Sequence, residues 1–122
     1  MANKVLVVDD EVDLVGNLTF FLESEGFQVQ SCHSGREVIQ KTLSFRPAVI
    51  VLDVMMPGVD GFEALRRLKA DDEVKDIPVI MLTAMTHKAS ELTGRGLGAE
   101  TYLTKPVAYP VLLQEIKRVL PA

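Results

Sequence analysis

A run of apolar residues in the middle of the chain most constrains what this sequence can fold into. Residues 48–52 are apolar without interruption, and Asp53 follows them before Pro57 and Gly58 end the segment. A short continuous apolar run bounded by turn residues predicts a strand that is buried on both faces. Such a strand needs helices above and below it, and its carboxyl end opens into the crevice where open α/β sheets bind ligands. Asp53 is the first polar residue at that end, so we take it as the candidate functional centre.

The rest of the chain alternates between strand patterns and helix patterns. Further strands are predicted at residues 5–8, 27–31, 77–82 and 101–104, and the polar alternation of 27–31 places that strand at or near an edge. Apolar residues recur at helical spacing after each strand, within residues 14–22, 38–43, 62–68, 88–97 and 112–120. Repeated strand–helix pairs predict a parallel sheet that helices cover on both sides, which is a doubly wound α/β fold. We expect one domain over residues 1–122.

Composition narrows the class of protein. The 122 residues carry a net charge of -4, which argues against a surface that binds nucleic acid directly. The single cysteine, Cys32, cannot form an internal disulfide, and the sequence has no cysteine and histidine cluster with the spacing of a zinc site. The apolar run near the start is too short for a signal peptide or a membrane span. We therefore expect a cytoplasmic protein with no membrane partner.

Charged and hydroxyl side chains stand at the carboxyl ends of four predicted strands: Asp9 and Asp10, Asp53, Thr83, and Lys105. Because parallel strands end at the same edge of a sheet, these side chains should converge. Three carboxylates in a small crevice repel one another, and either a shared proton or a hard divalent cation would relieve the repulsion. A cation such as Mg²⁺, a lysine and a hydroxyl around one carboxylate are the parts that phosphoryl transfer needs, with the carboxylate as nucleophile.

Motifs along the whole chain resemble those of response-regulator receiver domains, the phosphoacceptor modules of two-component and phosphorelay signalling. They are D-D-E after the first strand, L-D-V-M-M-P-G-V-D-G after the third, T-A after the fourth and Y-L-T-K-P at the fifth. The resemblance implies a flavodoxin-like (βα)5 fold with strand order 2-1-3-4-5. It also implies a signalling module that promotes its own phosphorylation and dephosphorylation, rather than a stand-alone enzyme.

The resemblance assigns roles to the residues at the predicted edge. Asp53 would accept a phosphoryl group from a histidine kinase or a histidine phosphotransfer protein. The ligands of a Mg²⁺ or Mn²⁺ ion would be Asp9, Asp10, Asp53 and the backbone carbonyl of Met55. Lys105 would contact the phosphoryl oxygens, and the Lys105–Pro106 peptide bond would be cis.

A switch and a set of partners are implied in the same way. Thr83 would also contact the phosphoryl group, and Tyr102 would act with Thr83 as the switch. An unidentified downstream protein would read the result, and the chain would be a monomer or a weak dimer that depends on phosphorylation.

The fourth predicted helix has the weakest pattern in the chain. Its apolar face is little more than Ala89 and Leu92, and Gly94 and Gly96 lie within its last turns. Each interior glycine costs a helix roughly 1 kcal/mol relative to alanine. We therefore expect this helix to shift on phosphorylation, and the surface of helix 4, strand 5 and helix 5 to be the output face.

The residues leave three other classes of protein to consider. A flavodoxin-like electron carrier shares the fold type, but residues 9–13 offer carboxylates where a flavin phosphate needs hydrogen-bond donors. A phosphatase of the haloacid-dehalogenase type carries a second aspartate two residues after its nucleophile, where this chain has Met55. A degenerate receiver that binds partners without phosphorylation is disfavoured, because the residues that phosphorylation needs are intact: Asp10, Asp53, Thr83 and Lys105.

Overall fold

The computed structural model describes residues 3–56 and 58–120. Its parallel strands are β1 (Lys4–Val8), β2 (Gln28–Cys32), β3 (Val49–Leu52), β4 (Val79–Thr83) and β5 (Thr101–Thr104). Its helices are α1 (Val12–Ser24), α2 (Val38–Phe45), α3 (Gly61–Ala70), α4 (Lys88–Gly96) and α5 (Tyr109–Val119), and a 3₁₀ turn (Gly35–Glu37) precedes α2. The sheet order β2-β1-β3-β4-β5 confirms the predicted doubly wound fold and the strand order that the resemblance implied.

The strands divide the core into two layers. Alternate residues of one strand point to opposite faces, so Leu6 and Ile50 pack beneath α2 and α3 while Val5 and Val49 pack beneath α1 and α5. All four side chains are completely buried. Burying one such side chain is worth roughly 1.5–3 kcal/mol, which is why these uninterrupted apolar runs form the centre of the sheet.

Two of the predicted strands, the second and the fourth, lie later in the sequence than we expected. The fourth strand begins at Val79 rather than Ile77, because the Ile77 amide donates to Val74 in the preceding turn and Pro78 has no amide hydrogen to add to a ladder. The edge strand runs from Gln28 to Cys32, one residue later than predicted. Pro57, which we expected to help end the central segment, lies outside the described residues, as do residues 1–2 and 121–122.

The buried face of α4 is not the one that the sequence predicts. Leu92 is 61% exposed and Ala89 is exposed as well, whereas Gly94 is the buried residue of this helix. A Cβ atom on Gly94 would lie 3.0 Å from the sulfur of Met81 and 3.1 Å from Cδ2 of Tyr102. The missing side chain therefore sets how closely α4 approaches the sheet, which hydrophobicity alone does not reveal.

Within residues 3–56 and 58–120, no helix combines the length and the hydrophobicity that crossing a membrane would take.

Candidate functional site

Backbone hydrogen bonds extend the sheet by one residue into the candidate site. Three amides beyond the strand ends donate to a neighbouring strand: Asp9 to Cys32 (3.1 Å), Asp53 to Val8 (2.9 Å) and Lys105 to Thr83 (2.8 Å). Each of these side chains is therefore attached to a backbone that the ladder fixes. The carboxyl edge of the sheet brings the predicted polar residues together as the parallel topology requires.

Three carboxylates form the centre of this edge. One oxygen each of Asp9, Asp10 and Asp53 lies within 4.8 Å of the other two. Asp9 and Asp53 are buried, whereas Asp10 is exposed at the rim. Clustered carboxylate oxygens with an open side fit a hard divalent cation that keeps part of its water shell.

Lys105 contacts the two buried carboxylates of this cluster and also Glu11. Its ammonium nitrogen lies 2.8 Å from Asp9 Oδ2, 2.9 Å from Glu11 Oε1 and 3.4 Å from Asp53 Oδ2. Burial alone would lower the pKa of Lys105, but the hydrogen bonds to Asp9 and Glu11 and the charge of Asp53 outweigh it and raise the pKa. Lys105 therefore stays positively charged at neutral pH beside the acidic cluster.

The two buried carboxylates are held differently. Burial and the charge of Asp53 raise the pKa of Asp9, although Lys105 and the amide of Glu11 donate hydrogen bonds that oppose the shift. Asp53 receives longer hydrogen bonds, 3.4 Å from Lys105 and 3.3 Å from the amide of Met55. Because hydrogen bonds weaken with length, Asp53 keeps more of its lone-pair density free than Asp9 does.

Met85 joins the two predicted switch residues. Its amide donates to the hydroxyl of Thr83 at 3.3 Å, and its carbonyl accepts a hydrogen bond of 2.9 Å from the hydroxyl of Tyr102. Thr83 is completely buried and Tyr102 lies inward beneath α4. A movement of the Thr83 hydroxyl therefore reaches Tyr102 through one residue.

The loop between β3 and α3 carries the remaining predicted ligand. Met55 donates its amide to Asp53, and the residue is 58% exposed. Asp60 ends the loop by accepting a 2.9 Å hydrogen bond from the amide of Glu63 in the first turn of α3. The Lys105–Pro106 peptide bond at the opposite wall is cis, as the resemblance implied.

Three contacts at this edge were not predicted from the sequence. Glu11 binds Lys105, Met85 joins Thr83 to Tyr102, and the Nδ1 of His33 donates to the carbonyl oxygen of Asp9 at 3.0 Å. Glu11 is the last residue of the D-D-E motif and Met85 directly follows the T-A motif, so their positions in the sequence were available as a signal. His33 comes from the β2–α2 connection, and its position follows only from the folded chain.

A cleft of about 300 Å³ adjoins the acidic cluster. Its walls come from α1, the end of β4 and the β5–α5 connection: Glu11, Leu14, Leu18, Leu82, Lys105, Pro106, Val107 and Tyr109. Val12 and Phe20 on the outer side of α1 are largely exposed, Phe20 by 78%. Leu14 and Leu18 line the cleft from the other side of this helix, so the apolar wall beside Lys105 is separate from these two exposed residues.

Comparisons with known proteins agree with this geometry. A family model described as the response regulator receiver domain matches residues 5–117. The chain is 38% identical to the protein PilH of Pseudomonas aeruginosa over 117 residues, which are 96% of this chain and 97% of PilH. It is also 38% identical to the phosphate regulon transcriptional regulatory protein PhoB of Rhizobium meliloti over 98% of this chain, but spans only 53% of PhoB.

A solved structure gives the same result. The chemotaxis protein CheY4 of Vibrio cholerae superimposes with a TM-score of 0.92 at 33% identity, over 98% of this chain and 100% of that protein. The family model matches most of the chain, and PilH is similar to it over nearly the full length of both proteins. These two findings are sufficient to assign the family. The chain belongs to the response regulator receiver domains of two-component signalling.

Proposed function

We propose that Asp53 is the phosphoacceptor of this receiver domain. The observation that carries the proposal is the Lys105 ammonium, which contacts both Asp9 and Asp53. These are the two buried members of the three-carboxylate cluster that Asp10 completes. Receiver domains take their phosphoryl group from histidine kinases. Of the two buried carboxylates, Asp53 is the one with the weaker hydrogen bonds, so its oxygen is the better nucleophile.

The chemistry is an in-line transfer between two side chains. An oxygen of Asp53 forms a bond to phosphorus while the bond from phosphorus to the donor's imidazole nitrogen breaks, and the imidazole leaves with that electron pair. Lys105 moves its hydrogen bonds from the acids to the phosphoryl oxygens, and the Thr83 hydroxyl donates to another of them. These groups stabilise charge in a site that the fold has already arranged.

Mg²⁺ or Mn²⁺ is the cation that we propose for the acidic cluster. Asp9, Asp10, Asp53 and the backbone carbonyl of Met55 would hold it, and the donor set of hard oxygens fits either ion. When bound, the cation would supply positive charge to offset both the carboxylates and the phosphoryl oxygens. The proposal includes no substrate beyond the phosphoryl donor, so the domain is a switch and not a stand-alone enzyme.

Intact-protein mass spectrometry tests the assignment. We expect incubation with phosphoramidate and Mg²⁺ to add one phosphoryl group to the wild-type chain and none to Asp53→Asn or in excess chelator. A phosphoryl adduct that persists in Asp53→Asn would show that another residue is the acceptor. A folded wild-type chain that never gains an adduct would favour a degenerate receiver that binds partners without phosphorylation.

The apolar surface beside Lys105 is where we place the phosphohistidine-bearing partner. The cleft adjoins Lys105, and Leu14 of α1 forms part of its apolar wall, so a partner that fills it brings its histidine to the edge of the sheet. Leu14→Ser should slow transfer from a phosphorylated histidine protein about tenfold, since an apolar anchor is lost, and should leave labelling by phosphoramidate unchanged. Leu92→Ser, the same change on the exposed face of α4, is the control. Equal transfer rates for both variants would place the partner elsewhere.

The output face is proposed on α4, β5 and α5. Thr83, Met85 and Tyr102 form a hydrogen-bonded path from the site to the underside of α4, which is held mainly through Gly94. A path of this kind with a weakly held helix at its end supplies the bistable element that a phosphorylation switch needs. The downstream protein, a dimer that depends on phosphorylation and the cytoplasmic location stay predictions.

A further inference from the structure

A close contact between two loops braces the site from the side of β2. The turn Gly35–Glu37 lies against the loop between β3 and α3, and a Cβ atom on Gly35 would overlap the carbonyl oxygen of Val59 and lie 2.9 Å from its carbonyl carbon. Gly35 is buried, and its φ is outside the left-handed region. Lack of space, and not an unusual backbone conformation, therefore excludes a side chain at this position. Next to it, the guanidinium of Arg36 lies over Gly58, whose Cβ would be 3.5 Å from Nε.

The other end of the same loop is held in a similar way. A Cβ atom on Gly61 would overlap the carbonyl oxygen of Asp53 and lie 2.7 Å from the Cα of Val54. The amide of Gly61 also donates to Val54 at 2.8 Å. The loop is thus held at Val54 by Gly61 and at Val59 by Gly35, and Met55 lies between these two points in the chain.

We propose that Gly35 is a positioning residue for the metal site, because it lets the β2–α2 turn press the β3–α3 loop into place. The inference rests on the proposed function, in which the Met55 carbonyl is a metal ligand. Asp9 and Asp53 are fixed by the hydrogen-bond ladder of the sheet, so the loop is the part of the site that needs a brace. A side chain at position 35 displaces Val59, and with it the carbonyl of Met55, without touching a carboxylate.

Titration of the metal-free protein with Mg²⁺ alone tests the inference. Gly35→Ala should raise the dissociation constant for Mg²⁺ by about tenfold, the loss expected when a group that supports a metal ligand is removed. NMR spectra of the metal-free variant should show shifted amide signals from residues 54–56 and 58–60, and phosphorylation by phosphoramidate should recover at saturating Mg²⁺. A change in the Mg²⁺ requirement with an unchanged maximal rate is the signature of a positioning role.

Two controls separate positioning from general loss of stability. Gly16→Ala adds a methyl group where no atom lies within 4 Å, and Leu112→Ala opens a cavity in the other core layer, so neither should change the affinity for Mg²⁺. If Gly35→Ala does not fold, Arg36→Ala offers a milder test, with an expected weakening of about threefold because a more peripheral part of the brace is removed.

The outcomes distinguish this inference from the proposed function. A wild-type chain that does not bind Mg²⁺ would contradict the metal site itself. A wild-type chain that binds Mg²⁺, with a folded Gly35→Ala variant of equal affinity and unshifted loop amides, would overturn the role of Gly35 alone.

Discussion

The α3 and α4 helices both follow a strand that ends at the acidic cluster, yet the chain holds them very differently. Helix α3 buries Gly61, Ala64, Leu65 and Leu68, and the side chain of Asp60 caps its first turn. Helix α4 buries Gly94, and among the described residues no side chain caps its first turn. The loop that carries the acceptor is thus anchored on both sides, whereas the helix after Thr83 is held loosely. A receiver needs both, since chemistry depends on fixed groups and signalling depends on one that can move.

Truncating one leucine in each helix tests this difference between α3 and α4 with the largest expected effect. Leu65→Ala should lower the free energy of unfolding by about 2–5 kcal/mol because it opens a cavity in a closed core. Leu92→Ala should change it by no more than about 0.5 kcal/mol because the side chain is already exposed. Urea unfolding monitored by circular dichroism measures both, and equal losses would mean that α4 is packed as firmly as α3.

A pair of glycines in α4 sharpens the comparison. Gly96→Ala should stabilise the chain by up to about 1 kcal/mol, since no atom lies within 4 Å and alanine favours a helix. Gly94→Ala should give no such gain, because its methyl group meets Met81 and Tyr102. Its free energy of unfolding should be about 1–2 kcal/mol lower than that of Gly96→Ala. Thermal unfolding compares the two variants, and NMR signals of the Tyr102 ring should shift only in Gly94→Ala. The same gain in both would show that α4 rests elsewhere.

We call the sheet edge that carries Asp9, Asp53 and Lys105 the fixed side, and helix α4 the loose side. The charge of Lys105 distinguishes the two sides as well. The raised pKa of Lys105 means that its stabilisation is complete below its ordinary pKa of about 10.4 and is lost as pH rises through the folded value. Metal-free wild-type protein should therefore lose stability faster at alkaline pH than Lys105→Met, by at most about 1.4 kcal/mol per pH unit. Lys88→Met, at the exposed start of α4, serves as the control. Parallel curves for wild type and Lys105→Met would contradict the ion pairs at the site.

Much of the fixed side could be predicted from the sequence. The uninterrupted apolar runs before Asp9 and Asp53 identify strands that are buried on both faces, and a parallel sheet must bring their ends together with Thr83 and Lys105. The order of the strands could be predicted only from the family resemblance, because hydrophobic periodicity does not show which strands are neighbours. The contact of Glu11 with Lys105 is evident only in the folded structure, because the spacing of residues in the sequence does not specify the direction of the Glu11 side chain.

The loose side was predicted less well, and for a physical reason. Hydrophobicity pointed to Leu92 as the contact of α4 with the core, but the helix packs through Gly94, where the absence of a side chain allows close approach. The packing roles of Gly35 and Gly61 escaped prediction for the same reason, although Gly61 belongs to a quoted motif. A glycine whose role is to leave space carries no chemical signal in the sequence, and its function appears only when the neighbouring backbone is known.

Hydrogen exchange on phosphorylated and unphosphorylated protein tests the central claim most directly. After labelling with phosphoramidate and Mg²⁺, amides of residues 88–96 in the wild-type chain should change their exchange rates, while those of α3 stay protected and unchanged. Asp53→Asn treated in the same way should show no change in either helix. If α4 is as well protected as β3, and its exchange stays the same in protein whose mass confirms phosphorylation, then the loosely held helix is not the element that the acceptor switches.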